Sequence, residues 1–431
     1  MSPRIAFLLL LFANNLFAAD ALRVLDGKHL RLTTDIPASA EVDALPALFD
    51  LAVPIWCEWF CVPIEKVADW KMEGCLVRDK LNFRDSGLLE RVPELRTGFQ
   101  FDNRLWVLEP KSDYYRRHLL LHEGVHGLMW YLYGELGPPW YREGLAELLS
   151  THYIDGGKTD GVKLELAIIP RKREDVLLWG RVKLIHDDCN AGKFLTIDEV
   201  MTLVSKEYDD PNAYAWSWAL TMFLATETAN DNGGNVMLQM TKELSPTIPR
   251  DLKRFNGKVK ELIGSEKFAV LQKRWYDFAS QIDYGYDVQR TRIESFVVGK
   301  LIESGVKPVR VKSERGWQNS GYSVEKGKSY RLTASGRFAL DNTPSKWWSQ
   351  PNGITIRYHN GNPIGVLLMA VVTDKPDAGS AFMKPITVGS GIDYTATESG
   401  TIFFRINDSP NSLENNQGEA EVKFSRGIQD K

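Results

Sequence analysis

The sequence predicts a multidomain protein in which an α+β, mostly helical domain precedes an all-β sandwich. Its 431 residues are enough for two or three domains. Apolar residues keep a helical spacing through most of the first 290 residues. After that point they form short alternating runs, separated by turns rich in Gly, Asn, Asp and Pro. We therefore expect an α+β domain over residues 20–290 and a β-sandwich over residues 295–431.

Composition and charge exclude several functional classes. Hydrophobic residues make up 43% of the chain and charged residues 25%, which are ordinary globular values and exclude wholesale disorder. The 53 basic residues nearly balance the 56 acidic ones, giving a net charge of -3. This balance argues against a dedicated nucleic-acid binder. We also expect no membrane span, because no segment after the first 19 residues is long and apolar enough.

Residues 1–19 have the pattern of a secretory signal peptide. Arg4 provides a basic start, residues 5–13 form an apolar run, and small residues follow around Ala19. The protein is therefore expected to be secreted or periplasmic. The four cysteines could then form two disulfides in any of three connectivities, and free buried thiols are the alternative: Cys57, Cys61, Cys75 and Cys189.

The elements of the first domain follow from periodicity and capping residues. Residues 28–36 and 104–108 alternate like strands, and residues 38–60 have helical spacing. Ser112 or Asp113 can cap a long helix that ends near Tyr133 and is closed by Gly134.

Residues 140–285 are expected to be helical throughout. Thr196 and Glu199 form a capping box, and the residues 209–211 open a helix that runs through Leu224. Ser265 opens another helix, whose apolar face carries Phe268, Leu271, Trp275 and Phe278. In the second domain, residues 330–334, 353–357 and 401–405 are expected to be strands.

The strongest chemical signal is an HExxH motif at residues 122–126. Four residues apart on a helix, His122 and His126 project from one face, so both imidazoles can bind one Zn²⁺. A bound Zn²⁺ lowers the pKa of a water molecule, and Glu123 is placed to accept its proton. The alternative is a polar face of a purely structural helix. His118 extends the same spacing, but a surface histidine at the helix start is the favoured interpretation.

A third zinc ligand is expected from the segment W-Y-R-E-G-L-A-E at residues 140–147, which begins a second helix. If that helix runs antiparallel to the first, Glu143 returns to the histidine face. HExxH followed by this segment resembles the gluzincin metallopeptidases, and more narrowly the peptidase-MA-like proteins. The resemblance implies a zincin-like fold, Glu143 as the third zinc ligand, and Glu147 as a carboxylate that orients a zinc-binding histidine. A carboxylate favoured by the helix dipole is the alternative for Glu143.

The side chain that stabilises the oxyanion usually comes from a later helix in such enzymes. Tyr214 is our candidate, and the alternative is a core aromatic residue beside two tryptophans. His152 is left unassigned, and His186 is expected on a surface loop.

The second informative stretch covers residues 407–418, where Asp, Ser and Asn side chains offer oxygen ligands suited to Ca²⁺. An ordinary turn has the same composition. Together with residues 316–321, 324–327 and 332–336, this stretch resembles the calcium-dependent galactophilic lectins of bacteria. The resemblance implies a calcium site formed by Asp408, Ser412, Asn415 and Asn416, with Ser412 in place of a threonine.

The sugar contacts of that lectin family match this chain less well. The family's galactose-binding histidine should fall near residues 348–352, where no histidine occurs, and His359 lies on the other side of Gly353. The resemblance as a whole implies a glycan as a partner, and a calcium loop that only rigidifies the sandwich is the alternative.

The favoured hypothesis is an exported zinc metallopeptidase that acts on a protein or peptide and carries a calcium-binding module. One alternative is a carbohydrate-binding protein whose HExxH domain is an inactive scaffold. Another is a zinc hydrolase acting on a non-peptide amide or ester, because HExxH does not by itself choose among acyl substrates.

Overall fold

The computed structural model of the protein describes residues 22–92, 94–134, 137–155, 162–228, 234–247, 251–303, 306–341, 345–375 and 377–426. The proposed signal peptide at residues 1–19 lies outside these ranges. The chain is multidomain, with a helical N-terminal half and a β-rich C-terminal half. No helix within the described ranges has the length and apolar character needed to cross a bilayer.

A five-stranded mixed sheet lies at the start of the N-terminal half. Its strands are β1 (Arg23–Asp26), β2 (Leu30–Thr34), β3 (Met72–Val77), β4 (Gly98–Phe101) and β5 (Arg104–Leu108). The spatial order is β1-β2-β3-β5-β4, with β2, β3 and β5 parallel and β1 and β4 antiparallel at the edges. The strands predicted at 28–36 and 104–108 are confirmed as β2 and β5.

Helices make up most of the rest of this half, and the capped helices predicted from the sequence are confirmed. They are α1 (Ala40–Asp43), α2 (Leu45–Trp59), α3 (Lys80–Asp85), α4 (Asp113–Tyr133), α5 (Pro139–Ser150), α6 (Arg181–Asn190), α7 (Ile197–Val200), α8 (Pro211–Thr226), α9 (Val236–Leu244), α10 (Leu252–Ile263), α11 (Ser265–Gln281) and α12 (Val288–Thr291). The single helix predicted over 38–60 is divided into α1 and α2 at Ala44, because Pro46 has no N–H with which to continue the hydrogen-bond ladder.

The prediction that residues 140–285 are helical throughout is wrong at one place. The strands β6 (His152–Asp155) and β7 (Lys163–Leu166) pair antiparallel directly after α5. Short apolar runs do not distinguish a strand from a helix by periodicity, which explains the error.

The C-terminal half contains two antiparallel-rich sheets that pack over one core. Its strands are β8 (Lys300–Leu301), β9 (Val309–Lys312), β10 (Gln318–Val324), β11 (Ser329–Ser335), β12 (Phe338–Ala339), β13 (Trp348–Ser349), β14 (Asn352–His359), β15 (Asn362–Val372), β16 (Ile386–Thr387), β17 (Gly391–Thr395), β18 (Gly400–Ile406) and β19 (Glu419–Arg426). One sheet has the order β14-β15-β18-β10-β8, with β16 beside β15, and the other has the order β17-β11-β19-β9. The three predicted strands are confirmed as β11, β14 and β18.

The two halves meet along α11. Gln281, near its end, accepts a hydrogen bond from Arg405 of β18. Asn411 Nδ2 donates a hydrogen bond to the Tyr284 carbonyl oxygen over 3.1 Å. The backbone amide of Asp287 donates to the Pro410 carbonyl oxygen over 3.3 Å. The four cysteines are all free thiols in this fold.

Candidate metal centre and active site

Helix α4 carries the HExxH motif into the interior of the N-terminal half. The Ser112 hydroxyl caps the helix by accepting a hydrogen bond from the Tyr115 amide, and Gly134 ends it at φ +67°. Gly124 lets α2 approach closely, because a Cβ at this position would lie 2.5 Å from the Phe49 ring. Both motif histidines are buried.

Helix α5 lies between α4 and α8 and brings Glu143 to the same place. The indole of Trp56 on α2 donates to the Leu149 carbonyl oxygen over 3.1 Å, and the Thr221 hydroxyl of α8 donates to that of Gly144 over 2.9 Å. Gly144 has no side chain, which allows α8 to pack against its backbone. Helix α5 therefore returns Glu143 to the face of α4 that carries the two histidines.

Three potential metal-ligand atoms converge on one point. His122 Nε2 and His126 Nε2 lie 3.2 Å apart, and Glu143 Oε2 is 3.4 Å from the first and 3.2 Å from the second. Ligands about 2.0–2.1 Å from a tetrahedral Zn²⁺ are separated by about 3.3 Å from one another. Two imidazoles and one carboxylate are also a ligand set that zinc accepts in catalytic sites. The residues present therefore fit a zinc ion.

A buried charge network stands behind these three residues. Glu147 Oε1 is 3.5 Å from His122 Nδ1, and its Oε2 is 3.3 Å from His118 Nε2. Arg181 of α6 donates to both oxygens of Glu147, over 2.8 and 3.0 Å. Burial alone would raise the pKa of Glu147, but Arg181 and His118 hold it well below its usual value. Glu147 is thus an ionised group facing the back of His122.

Glu123 is buried beside the edge strand β4. Its carboxylate occupies the space next to Gly98, where a Cβ atom would overlap it. Burial, with smaller contributions from the carboxylates of Glu143 and Glu147, raises the pKa of Glu123 to about 8. Without a cation in the site, this carboxyl therefore keeps its proton near neutral pH. A divalent cation held by the neighbouring histidines would favour the ionised form, which is the form that can accept a proton.

Two further side chains border the three ligand residues. The Tyr214 ring lies 6.1 Å from the His122 ring, and the Arg181 guanidinium lies 5.6 Å from the Tyr214 ring. Burial raises the pKa of Tyr214, so its hydroxyl keeps its proton and can donate a hydrogen bond. Arg142 Nε donates to Glu143 Oε1 over 2.9 Å, which leaves Oε2 facing the two histidines.

Several of these residues were missed or misread in the sequence. His118 is fully buried, which contradicts the expected surface position. Its spacing four residues before His122 was the available signal. Arg181 gave no signal, because only the fold brings α6 to α5. His152 is buried against the Tyr114 ring at 4.4 Å, and His186 lies on α6, not on a loop, where it contacts the Ile282 carbonyl oxygen.

The structure brings two of the four predicted calcium ligands, Asp408 and Asn416, into contact, and Asn415 precedes Asn416 in the chain. Asp408 is buried, and its Oδ2 accepts a hydrogen bond from Asn416 Nδ2 over 3.2 Å. The Oδ1 atoms of Asn415 and Asn416 are buried and have no hydrogen-bond partner among the described residues. Orphaned amide oxygens beside a buried carboxylate fit a hard cation such as Ca²⁺. The Ser412 hydroxyl instead contacts Asn411 Oδ1, and Arg357 Nη2 lies 3.2 Å from Asp408 Oδ1.

Comparisons with known proteins add little to this geometry. No protein-family profile matches the chain, and no curated protein matches it. Among solved structures that match, one described as "EclA N-terminal domain; PllA-like lectin" is 17% identical. The match covers 28% of this chain and 97% of that one, with a TM-score of 0.23. A likeness at this TM-score assigns neither a family nor a ligand to the chain.

Proposed function

We propose that the protein is an exported zinc-dependent metallopeptidase of the gluzincin type. The observation that carries this proposal is the convergence of His122, His126 and Glu143 within 3.4 Å of one another, with Glu123 on the same helix. These three residues would hold Zn²⁺, which when bound would polarise the substrate carbonyl and make a water molecule more acidic.

The other steps belong to the chain's own residues. Glu123 accepts a proton from the attacking water and delivers it to the nitrogen of the leaving amine. The Tyr214 hydroxyl, which stays protonated, donates a hydrogen bond to the oxygen that becomes negative in the transition state. Glu147 holds the His122 ring in position, and Arg181 holds Glu147.

The edge strand β4 favours a peptide over a small amide or ester as substrate. β4 pairs with β5 on one side, and no other described strand pairs with its second side. An extended peptide could add to that free edge through backbone hydrogen bonds. Because Gly98 of β4 lies against the Glu123 carboxylate, a peptide bound there would pass the proposed general base.

The test compares Glu123→Gln with the wild-type protein. We expect the variant to bind zinc as the wild type does and to lose peptide hydrolysis by at least about 10²-fold, because the proton acceptor is gone. Zinc is measured in the purified protein and hydrolysis with a peptide library. Glu261→Gln, an exposed change on α10, is the matched control. Undiminished hydrolysis by Glu123→Gln would falsify its assigned role, and a wild-type protein that binds no zinc would refute the proposal.

We further propose that Asp408, Asn415 and Asn416 hold Ca²⁺ in the C-terminal half. The two unpartnered amide oxygens support this. Carbohydrate binding by this half, with an inactive metal domain, is the competing function. Screening the full-length protein on a glycan array, with and without a calcium chelator, separates the two. A calcium-dependent glycan signal from a protein without zinc and without hydrolytic activity would favour the competing function.

A further inference from the structure

A cavity whose lining includes no residue of the proposed zinc site lies where the two halves meet. This interdomain cavity has a volume of about 290 Å³. The helical half contributes the end of α6, at Cys189, and the end of α11, at Gln281. The sandwich contributes Trp317, Phe382 and Arg405. Its volume is at the lower end of the range for small-molecule sites, which occur preferentially at such domain boundaries.

Arg405 is the charged group of the interdomain cavity. It is 3% exposed, donates through Nη1 to Gln281 Oε1 and through Nη2 to the Asp408 carbonyl oxygen. Its Nε has no hydrogen-bond partner among the described residues, and no described carboxylate forms an ion pair with it. Burial lowers its pKa, but a guanidinium remains protonated in proteins. A buried cation without an adjacent anion is costly, and an anionic ligand would relieve that cost.

The other titratable groups nearby do not supply that anion directly. The Asp277 and Asp408 carboxylates both act electrostatically on Arg405, but neither forms an ion pair with it. Asp277 is linked to Arg405 through Gln281, whose amide nitrogen donates to Asp277 Oδ1. Burial raises the pKa of Asp277 to about 6. The Asp408 carboxylate is occupied by Arg357 and the Ser409 amide. Burial, followed by the charge of Arg405, lowers the pKa of His359 to about 3, so this ring is neutral near pH 7.

The rest of the lining of the interdomain cavity is mixed. Its apolar part consists of Leu368, Phe382 and Met383 together with Trp317 and Pro385, and its polar part is formed mainly by asparagines: Asn190, Asn360, Asn362 and Asn407. Trp317 and Phe382 form an aromatic pair with ring centroids 5.2 Å apart. A ligand that fills the cavity therefore needs one anionic end and one apolar end.

We propose that the interdomain cavity binds a small organic carboxylate with an apolar substituent. The carboxylate accepts hydrogen bonds from Arg405, and the apolar part packs against the pair formed by Trp317 and Phe382. Because both halves line the cavity, such a ligand stabilises their association and raises the melting temperature of the full chain.

The test measures binding of phenylacetate and hexanoate to the full-length protein, each against its primary amide. The amides keep the shape of the acids and remove the charge. We expect at least one acid to bind with a dissociation constant below about 1 mM, which is within reach of a ligand of this size. The bound acid should also raise the melting temperature of the protein. Its amide should bind at least about tenfold more weakly, because it cannot pair with Arg405.

Two variants locate the site. Arg405→Gln should abolish the preference for the acid over the amide. Met383→Trp fills the cavity and keeps Arg405, so it should abolish binding even if Arg405→Gln does not fold. Lys326→Trp, on an exposed turn of the sandwich, is the control and should bind normally. The proposal is overturned if neither acid binds, or if an acid and its amide bind equally well. It is also overturned if Met383→Trp binds the acid as tightly as the wild type does.

Discussion

At the residue scale, two carboxylates of the proposed zinc site each have an arginine partner. Arg181 neutralises Glu147, and Arg142 contacts Glu143. A buried charge that loses its partner typically costs several kcal/mol, so these pairs fix the side-chain positions strongly. The two arginines thereby hold the carboxylates in the orientation that the proposed zinc site requires.

Arg142→Ala tests this at the proposed zinc ligand. We expect zinc affinity to fall by about 10–100-fold, the usual effect of removing a group that orients a ligand. The reason is that Glu143 Oε1 loses its donor, so the carboxylate is free to rotate away from the histidines. Affinity is measured by competition with a chelator. Arg254→Ala, an exposed change on α10, should leave it unchanged. Equal zinc affinity in the Arg142 variant and the wild type would contradict this role.

At the element scale, the approach of α2 to α4 sets the position of the HExxH helix. At Gly124 a Cβ would lie 2.5 Å from Phe49 and 2.8 Å from Trp56. Both rings are fully buried and belong to one core cluster, so they have little room to move. The glycine in the motif is therefore explained by packing.

Replacing Gly124 by alanine should destabilise the protein by about 1–3 kcal/mol, as overpacking of a core does. Gly257→Ala on α10 is the matched control, because a Cβ added there would meet nothing within 4 Å. That change should stabilise the protein by about 0.5–1 kcal/mol through helix propensity. Urea-induced unfolding of both variants measures the two effects. If Gly124→Ala unfolds at the same urea concentration as the wild type, the close approach of α2 to Gly124 leaves room for a methyl group and the prediction is wrong.

At the scale of the whole molecule, the proposed calcium loop also belongs to the contact between the halves. Asn411 and Pro410 contact the segment that follows α11, and Arg405 links the Asp408 carbonyl oxygen to Gln281. Ordering this loop with a cation should therefore stabilise the association of the halves as well as the sandwich.

We expect Ca²⁺ to raise the melting temperature of the full chain. At a Ca²⁺ concentration one hundred times the dissociation constant, binding should add about 2.7 kcal/mol to the free energy of unfolding. Asp408→Asn should remove most of this effect. Arg357→Ala should tighten calcium binding by up to about fivefold, because its guanidinium competes for Asp408 Oδ1. Thermal unfolding with and without a chelator measures all three proteins. A melting temperature insensitive to Ca²⁺ in the wild type would rule out the site.

The sequence by itself determined the helices and strands whose signals are local. Ser112 and Gly134 bound α4, Thr196 and Glu199 form the predicted capping box of α7, and the alternating runs became β11, β14 and β18. The spacing of His122 and His126 also defines one face of a helix without any tertiary information. Local hydrogen bonds and side-chain direction within one element account for this success.

Only the tertiary structure decided which distant residues complete each site. Arg181 reaches Glu147 across 34 positions of sequence, and Arg405 reaches Gln281 across 124. His118, expected on the surface, is buried because α5 and the ring of Trp179 cover it. The physical reason is that burial and charge pairing depend on how elements pack against one another, which no local pattern in the chain records.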